Sequence, residues 1–193
     1  IIRKLLDGEK LDYEGQYYST KGAKLYSPPL KEVPIWLAAG GPKSSHLAAE
    51  FADGLMISVK NPEDAYERVI NPATIKTDEL EKSKLRVHTY RWTMFAENDD
   101  DAWESLKSWR GLRAPNRLQE IDPQALREQA DALPKDEIMS KFSRAGTIDE
   151  LVDIYSPLVD DFGSEIVTIQ ISSVNQEETI KLLGKELLPR LKK

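Results

Sequence analysis

The sequence predicts an α/β fold in which about four parallel strands alternate with helices. Short segments rich in apolar or β-forming residues recur along the chain, at residues 33–39, 54–59, 85–96 and 165–171. Between them lie segments with helical periodicity and helix-start residues. This alternation fits the carboxy-terminal part of a (β/α)8 barrel, which has eight strands in about 250 residues, and it also fits a small open α/β sheet.

The region from Val33 to Val59 shows the alternation most clearly. The apolar run of residues 33–39 is broken by Gly40-Gly41-Pro42, and residues 43–51 can form a short helix. A second apolar run, residues 54–59, follows at once. Strand, glycine turn, helix and strand in this order predict a βαβ unit.

Three later helices are predicted from their first residues. Asn61 followed by Pro62 and Asn98 followed by acidic residues are typical N-termini, and Thr147 with Glu150 matches a capping box. We expect the helix after Thr147 to end at Gly163, and a final amphipathic helix to cover residues 175–191.

The remaining segments define the expected organisation of the chain. Residues 13–29 are rich in aromatic and turn residues and suggest a short hairpin. Residues 110–146 have no clear strand and several prolines, so we expect a helical insertion within a single partial domain, residues 1–193. Residues 1–8 have the pattern of the last turns of a helix that ends at Gly8, from which we expect a fragment of a longer protein.

Composition excludes several classes of function. Hydrophobic residues make up 40% of the chain, which allows a core, and the formal charge of −6 disfavours general binding to nucleic acid or to an anionic membrane. Without cysteine there are no disulfides or thiolate metal sites, which suits a cytoplasmic protein. No apolar run reaches the roughly 18 residues of a membrane span.

The turn at residues 38–45 is the best local candidate for a binding site. Gly40 and Gly41 lack side chains, so a ligand can approach the backbone closely, and we expect Gly41 to need the conformational freedom of glycine as well. The helix that follows offers free N–H groups, and Lys43 and Ser44 stand beside them. The pattern therefore predicts a phosphate site, with an ordinary tight turn as the alternative.

No other residue pattern predicts a metal site or a catalytic centre. The only histidines are His46 and His88, and with no cysteine they form no zinc-binding spacing. Asp99-Asp100-Asp101 is better explained as the first turn of a helix. No nucleophile with a base can be identified, so we assign no catalytic residue in this chain.

Longer segments resemble a known superfamily. Residues 34–43, continuing through residues 46–54, are similar to a hallmark segment of the luciferase-like monooxygenases and coenzyme F420-dependent oxidoreductases. Residues 6–18 resemble the sequence that precedes this segment in the superfamily. Residues 130–134 and 187–191 resemble the branch of F420-dependent glucose-6-phosphate dehydrogenases. The resemblance implies a TIM barrel of the luciferase-like type, of which this chain is the carboxy-terminal half.

The resemblance also implies roles for individual residues. Gly40, Gly41, Lys43 and Ser44 match positions that hold the phosphate of coenzyme F420, an 8-hydroxy-5-deazaflavin, and Ser58 matches a hydroxyl-bearing position used in binding.

In the sugar-phosphate branch three basic side chains hold the substrate phosphate. Lys60 matches the first, with one residue fewer in its loop, while Arg117 and Lys141 match the second and third with lysine and arginine exchanged. Because arginine and lysine differ in geometry, the identity of the phosphate ester stays open.

The resemblance also implies a function for the parent protein, with several alternatives. The parent protein is expected to be a cytoplasmic homodimer that transfers a hydride from a sugar phosphate such as glucose-6-phosphate to F420. Its catalytic groups lie on early strands that this sequence lacks, so the chain alone should be inactive. The alternatives are an F420-dependent secondary-alcohol dehydrogenase, a methylene-tetrahydromethanopterin reductase, a monooxygenase that uses FMN, and a non-catalytic half-barrel.

Overall fold

The computed structural model describes residues 1–191, which form two compact units, Ile1–Trp36 and the chain from Leu37 onward. The first unit contains helix α1 (Ile2–Leu6) and an antiparallel hairpin of β1 (Leu11–Glu14) and β2 (Ser19–Ala23). Gly8 ends α1 in the left-handed region, at a φ of 79°. The hairpin lies where the turn-rich sequence suggested one.

The second unit is built on a five-stranded sheet. Its strands are β3 (Trp36–Ala38), β4 (Gly54–Ser58), β5 (Arg86–Phe95), β6 (Ser143–Ala145) and β7 (Ile166–Ser172). The order is β3-β4-β5-β6, and β7 also pairs with β5. The pairs of β5 with β4, β6 and β7 are all parallel, which confirms the predicted α/β class.

Strand β6 corrects the expectation that residues 110–146 contain no strand. It is only three residues long, Ser143-Arg144-Ala145, and has no apolar run. What forms it is the carboxyl-terminal part of β5, where Thr93 and Phe95 pair with Ser143 and Ala145. Because Thr93 also pairs with Ile171 of β7, β6 and β7 lie on opposite edges of β5.

Helices connect these strands. The first three are α2 (Pro42–Phe51), α3 (Pro62–Ala65) and α4 (Asn71–Glu79), with a π-helical turn, Tyr66–Ile70, between the last two. After β5 come α5 (Asp99–Ser105), a 3-10 turn (Arg110–Arg113), α6 (Pro123–Asp131), α7 (Lys135–Met139) and α8 (Ile148–Asp160). The chain then forms α9 (Gln176–Leu182), a second π-helical turn (Leu183–Leu187) and α10 (Leu188–Leu191).

The predicted helix starts are present. The side chains of Asn61, Asn98 and Thr147 each accept a hydrogen bond from the backbone N–H three residues later. At Thr147 the capping box differs in its second half, because Glu150 accepts from the N–H of Gly146 instead of that of Thr147. Gly163, at a φ of 58°, follows α8 as expected.

Two hydrophobic clusters fill the second unit. The larger one lies between the sheet and its helices and includes Leu55, Ile57, Leu151, Leu158 and Leu187. The smaller one joins the end of β5 to the helices that follow it, through Met94, Leu106, Ala130, Ile138 and Phe142. The segment predicted as an insertion therefore has its own apolar contacts with the sheet. Among the described residues no helix is long and apolar enough to cross a membrane.

The two faces of β5 have different surroundings. Thr89 and Thr93 face the helical layer, since their hydroxyls contact Ser164 and Tyr155. On the opposite face, the rings of His88 and Trp92 form hydrogen bonds to hydroxyls of β7. Because side chains alternate along a strand, Tyr90 shares this second face.

Tyr155 links the helical layer to the sheet through a buried hydroxyl. Its OH donates to the carbonyl of Arg91 at 2.9 Å and lies 3.0 Å from Thr93 Oγ1. The Tyr155 side chain is fully buried, and burial raises its pKa to about 12.

We expect Tyr155→Phe to lower the free energy of unfolding by about 1–3 kcal/mol, because buried hydrogen-bonding groups lose their partner. Urea denaturation measures this change. Tyr17→Phe, at a side chain that is 82% exposed, is the control and should change stability by less than about 0.5 kcal/mol.

The same pair of proteins tests the raised pKa of Tyr155. A tyrosine ionises near pH 10 when unfolded, whereas Tyr155 holds its proton to about pH 12 in the folded state. Its contribution to stability is therefore complete below pH 10 and is lost as the pH rises from 10 to 12. The stability difference between wild type and Tyr155→Phe should shrink over that range, and a constant difference would contradict the buried hydroxyl.

Candidate functional site

A cavity of about 510 Å³ lies where β3 and β4 end, at the edge predicted to bind a ligand. Carboxyl ends of parallel strands are the usual place for binding sites in such folds. The cavity is lined by residues of both strand ends, of the π-helical turn and of β5: Ala38, Ala39, Gly40, Met56, Ile57, Ser58, Lys60, Asn61, Asp64, Ala65, Arg68, Val69 and Tyr90.

The turn from β3 to α2 is held by several hydrogen bonds. Gly40 N–H donates to Ser44 Oγ at 3.2 Å. The Gly41 carbonyl accepts from the hydroxyls of Ser44 and Ser45, both at 2.9 Å, and from the Ser45 N–H at 3.1 Å. The predicted site residue Ser44 is thus engaged within the turn, and its hydroxyl fixes the backbone.

Neither glycine is required by the packing of the turn itself. A Cβ added at Gly40 or Gly41 would meet no atom within 4 Å. Gly41 has a φ of 179°, which is extended backbone that other residues adopt, so the expectation that it needs glycine's conformational freedom is wrong. What the two glycines provide is open space beside the backbone.

Arg68 also holds the turn, although no sequence pattern pointed to a role for this residue. Its guanidinium donates to the Gly40 carbonyl at 3.1 Å and to Asp64 Oδ2 at 3.1 Å. The carbonyl of Gly40 and the N–H of Gly41 point in opposite directions, because they belong to one planar peptide. Arg68 therefore fixes the direction of the Gly41 N–H, for which no described group is an acceptor.

The first turn of α2 adds further unused donors. Lys43 and Ser44 occupy positions at which helical N–H groups have no partner within the helix, and Pro42 has no N–H. The Lys43 side chain is exposed beside them. The N–H groups of residues 41, 43 and 44 can therefore bind an anion.

Ser58 and Lys60 also line this cavity, at and just after the end of β4. Ser58 is exposed and pairs in register with Tyr90 of β5. Lys60 is exposed and has no ion pair with any described residue. Of the predicted site residues, the structure thus brings Gly40, Ser58 and Lys60 to one cavity.

Arg117 and Lys141 do not line this cavity; they belong to the helical segment after β5. Arg117 follows the 3-10 turn and lies close enough to Arg113 for its charge to affect the pKa of Arg113. Lys141 precedes Phe142, and the guanidinium of Arg113 lies over the Phe142 ring at 4.7 Å. Arg117 is therefore near Arg113, and Lys141 is adjacent in sequence to the aromatic residue that Arg113 contacts.

An aromatic contact connects that neighbourhood to the sheet. The rings of Phe142 and Trp92 meet edge to face with centroids 5.4 Å apart, and Trp92 Nε1 donates to Ser172 Oγ at 2.6 Å. Tyr90, which lines the cavity, is two residues before Trp92 on the same face of β5.

The two histidines belong to no cluster of potential metal ligands among the described residues. His88 Nε2 is 2.7 Å from Thr168 Oγ1, and His46 is exposed on α2. No group of three or more potential metal ligands occurs in this part of the chain.

Comparison with known proteins establishes the family. The family model of the luciferase-like monooxygenases matches residues 1–161. The chain belongs to this family.

Curated relatives include F420-dependent glucose-6-phosphate dehydrogenases from Microbacterium testaceum, 30% identical, and Mycolicibacterium gilvum, 29% identical. Each matches the whole chain, and the chain spans about 59% of the length of these relatives.

Solved structures of the family share its fold. An F420-dependent secondary alcohol dehydrogenase in complex with an F420-acetone adduct superposes with a TM-score of 0.82 at 24% identity, covering 100% of this chain and 59% of that one. The coenzyme F420-dependent tetrahydromethanopterin reductase from Methanopyrus kandleri gives 0.72 at 22% identity, covering 99% and 61%. These matches confirm the prediction of a partial barrel and rule out the alternative of a small open sheet. The relatives and solved structures named above are F420-dependent enzymes.

We expect Arg68→Ala to increase hydrogen exchange at the amides of Gly40 and Ser45 about threefold or more, because the turn loses a charged hydrogen bond. Native-state exchange measured by NMR gives the rates. Lys76→Ala is the control, since Lys76 forms only a surface pair with Glu79 on α4. Equal exchange in Arg68→Ala and Lys76→Ala would mean that Arg68 does not hold the turn.

Proposed function

We propose that this chain supplies the phosphate-binding part of a coenzyme F420-dependent dehydrogenase that oxidises a sugar phosphate such as glucose-6-phosphate. The observation that carries the proposal is the turn at residues 40–44. The carbonyl groups of Gly40 and Gly41 accept hydrogen bonds from Arg68 and Ser44. The N–H groups of residues 41, 43 and 44 have no partner among the described residues and lie beside the open space at the two glycines, where a ligand can bind. Similarity to F420-dependent glucose-6-phosphate dehydrogenases along the whole chain supports the choice of coenzyme and substrate.

The turn fits a coenzyme phosphate in charge and shape. Backbone donors at the start of α2 stabilise negative charge, and Lys43 adds a positive side chain. Ser44 acts through its hydroxyl bonds to Gly40 and Gly41, which keep the donors in place. Ser58 offers an exposed hydroxyl in the lining of the same cavity, where it would contact the coenzyme or the substrate.

The chain's part in the reaction is binding and orientation. The deazaflavin, when bound, would supply the hydride acceptor. Lys60, Arg117 and Lys141 would hold the substrate phosphate, and so fix the position of the sugar relative to the coenzyme ring. No residue of this chain is proposed to move a proton, so we expect the chain alone to have no dehydrogenase activity.

Several features of the proposal go beyond the family. The parent protein would act as a cytoplasmic homodimer, and the helical segment 110–146 would be an insertion in its single domain. FMN in place of F420, a secondary alcohol or a pterin as substrate, and a half-barrel without catalysis are the alternatives. Titration of the protein that contains this chain with F420 and with FMN, followed by assays with glucose-6-phosphate and with 2-propanol, distinguishes them.

The coenzyme site predicts the effect of Gly41→Val. The side chain would fill the space beside the free N–H groups, so we expect F420 to bind at least tenfold more weakly in a fluorescence titration. Stability should change by less than about 1 kcal/mol, since a Cβ meets no atom there. Gly184→Val, at another open glycine far along the chain, is the matched control; equal F420 affinity in both variants would leave Gly41 as part of an ordinary turn.

The substrate site predicts the effect of removing its bases. Each of Lys60→Ala, Arg117→Ala and Lys141→Ala should raise KM for glucose-6-phosphate roughly tenfold or more, because a charged hydrogen bond contributes about 1.5–3 kcal/mol. In Arg117→Ala and Lys141→Ala, F420 affinity should stay within about twofold, since neither residue lines the cavity beside the turn that is proposed to bind the coenzyme phosphate. If KM is unchanged in all three variants, the sugar-phosphate assignment is wrong, and only the family remains.

A further inference from the structure

The helical segment after β5 contains two arginines in one short turn, of which, among the described residues, one forms an ion pair with a carboxylate and the other does not. Arg110 and Arg113 are the first and last residues of the same 3-10 turn. Gly111 allows this turn to approach α6 closely, since an added Cβ would come within 3.4 Å of the α6 backbone. Each guanidinium lies over an aromatic ring, Trp103 for Arg110 and Phe142 for Arg113.

Arg110 has a carboxylate partner within the protein, although its Nη1, like the Nε of Arg113, is buried without a hydrogen bond to any described residue. Its guanidinium forms a two-pronged ion pair with Asp131 at the end of α6. Together with the contact to Trp103 at 4.4 Å, this is the usual arrangement of a structural arginine.

Arg113 has no such partner. Its Nε is buried without a hydrogen bond, and no carboxylate among the described residues forms an ion pair with it. Its charged neighbour is another cation, Arg117. Burial lowers the pKa of Arg113, and the charge of Arg117 lowers it further.

Three acidic side chains of the same segment are already in use, and two more, Asp136 and Glu137, lie in the first turn of α7 without an ion pair to Arg113 among the described residues. Glu120 accepts from the backbone N–H groups of Ile121 and Asp122, Asp122 caps α6, and Asp131 pairs with Arg110. A buried guanidinium nitrogen without a hydrogen bond, beside a second cation and with no ion-paired carboxylate among the described residues, is a favourable place for an anion to bind.

We propose that Arg113 binds the phosphate of the substrate together with Arg117 and Lys141. This inference rests on the proposed function, because it adds a residue to the substrate site described there. The planar guanidinium on Phe142 presents its donors in a fixed orientation, which suits two-pronged binding of a phosphate. Phe142 in turn packs against Trp92, so the site is fixed to β5.

The test compares Arg113→Met with Arg110→Met in the protein that contains this chain. Methionine keeps an unbranched apolar stem over the ring and removes the charge. Three quantities are measured: KM for glucose-6-phosphate, the affinity for inorganic phosphate from the shift in Tm, and the stability without ligand. Arg113→Lys is the second variant, which keeps the positive charge but lacks the planar guanidinium that can bind a phosphate through two donors.

We expect Arg113→Met to raise KM roughly tenfold to a hundredfold and to abolish most of the Tm shift caused by inorganic phosphate. Its stability without ligand should be unchanged or higher, because a repulsion with Arg117 disappears. Arg110→Met should show the reverse. Its stability without ligand should be lower, and the Tm shift caused by inorganic phosphate should equal that of the wild type. Arg113→Lys should have an intermediate KM.

Two results would overturn the proposal. One is a loss of stability in Arg113→Met with an unchanged response to phosphate, which would make Arg113 structural like Arg110. The other is an unchanged KM in Arg113→Met when Arg117→Ala and Lys141→Ala raise it, which would leave the proposed function intact without Arg113. Failure of the proposed function itself would appear differently, as an absence of glucose-6-phosphate oxidation by the wild type, while binding of inorganic phosphate still tests Arg113.

Discussion

Parallel pairing along β5 is the constraint on which the candidate site depends. Parallel strands run in one direction, so all of their carboxyl ends meet at one edge of the sheet. At ten residues, β5 is the longest strand, and it pairs with β4 near its start and with β6 near its end. The glycine turn after β3, the exposed end of β4 and the helical segment after β5 are therefore brought to the same edge.

The two faces of β5 also carry different kinds of side chain. On the helical side, hydroxyls of β5 are buried against α8 and its neighbours, as in the contact of Thr93 with Tyr155. The other face carries polar and aromatic side chains such as Tyr90 and Trp92, which contact the candidate sites. Substitution of Thr93 should consequently lower stability, whereas substitution of Tyr90, which lines the cavity, should weaken ligand binding.

Features that depend on adjacent residues could be predicted from the sequence. The caps at Asn61 and Asn98, the glycine turn and the main strands depend on local spacing, and the structure has them. Strand β6 could not be predicted, because three residues without an apolar run become a strand only when the end of β5 is available. Arg68 was missed for a similar reason, since its contact with Gly40 spans 28 residues and nothing in its own neighbourhood distinguishes it from a surface base.

The π-helical turn at Tyr66–Ile70 has a consequence for how this site can change during evolution. A π-helical turn is equivalent to an α-helix with one additional residue, and successive residues of an α-helix are rotated by about 100°. Arg68 lies within this turn. Loss of a single codon before Arg68 would therefore turn the guanidinium away from the Gly40 carbonyl and present a neighbouring side chain instead. In relatives with a regular helix at this place, a residue from another position would have to hydrogen-bond to the carbonyl of the glycine turn. Comparison of family members should therefore consider the length of this segment as well as the identity of its residues.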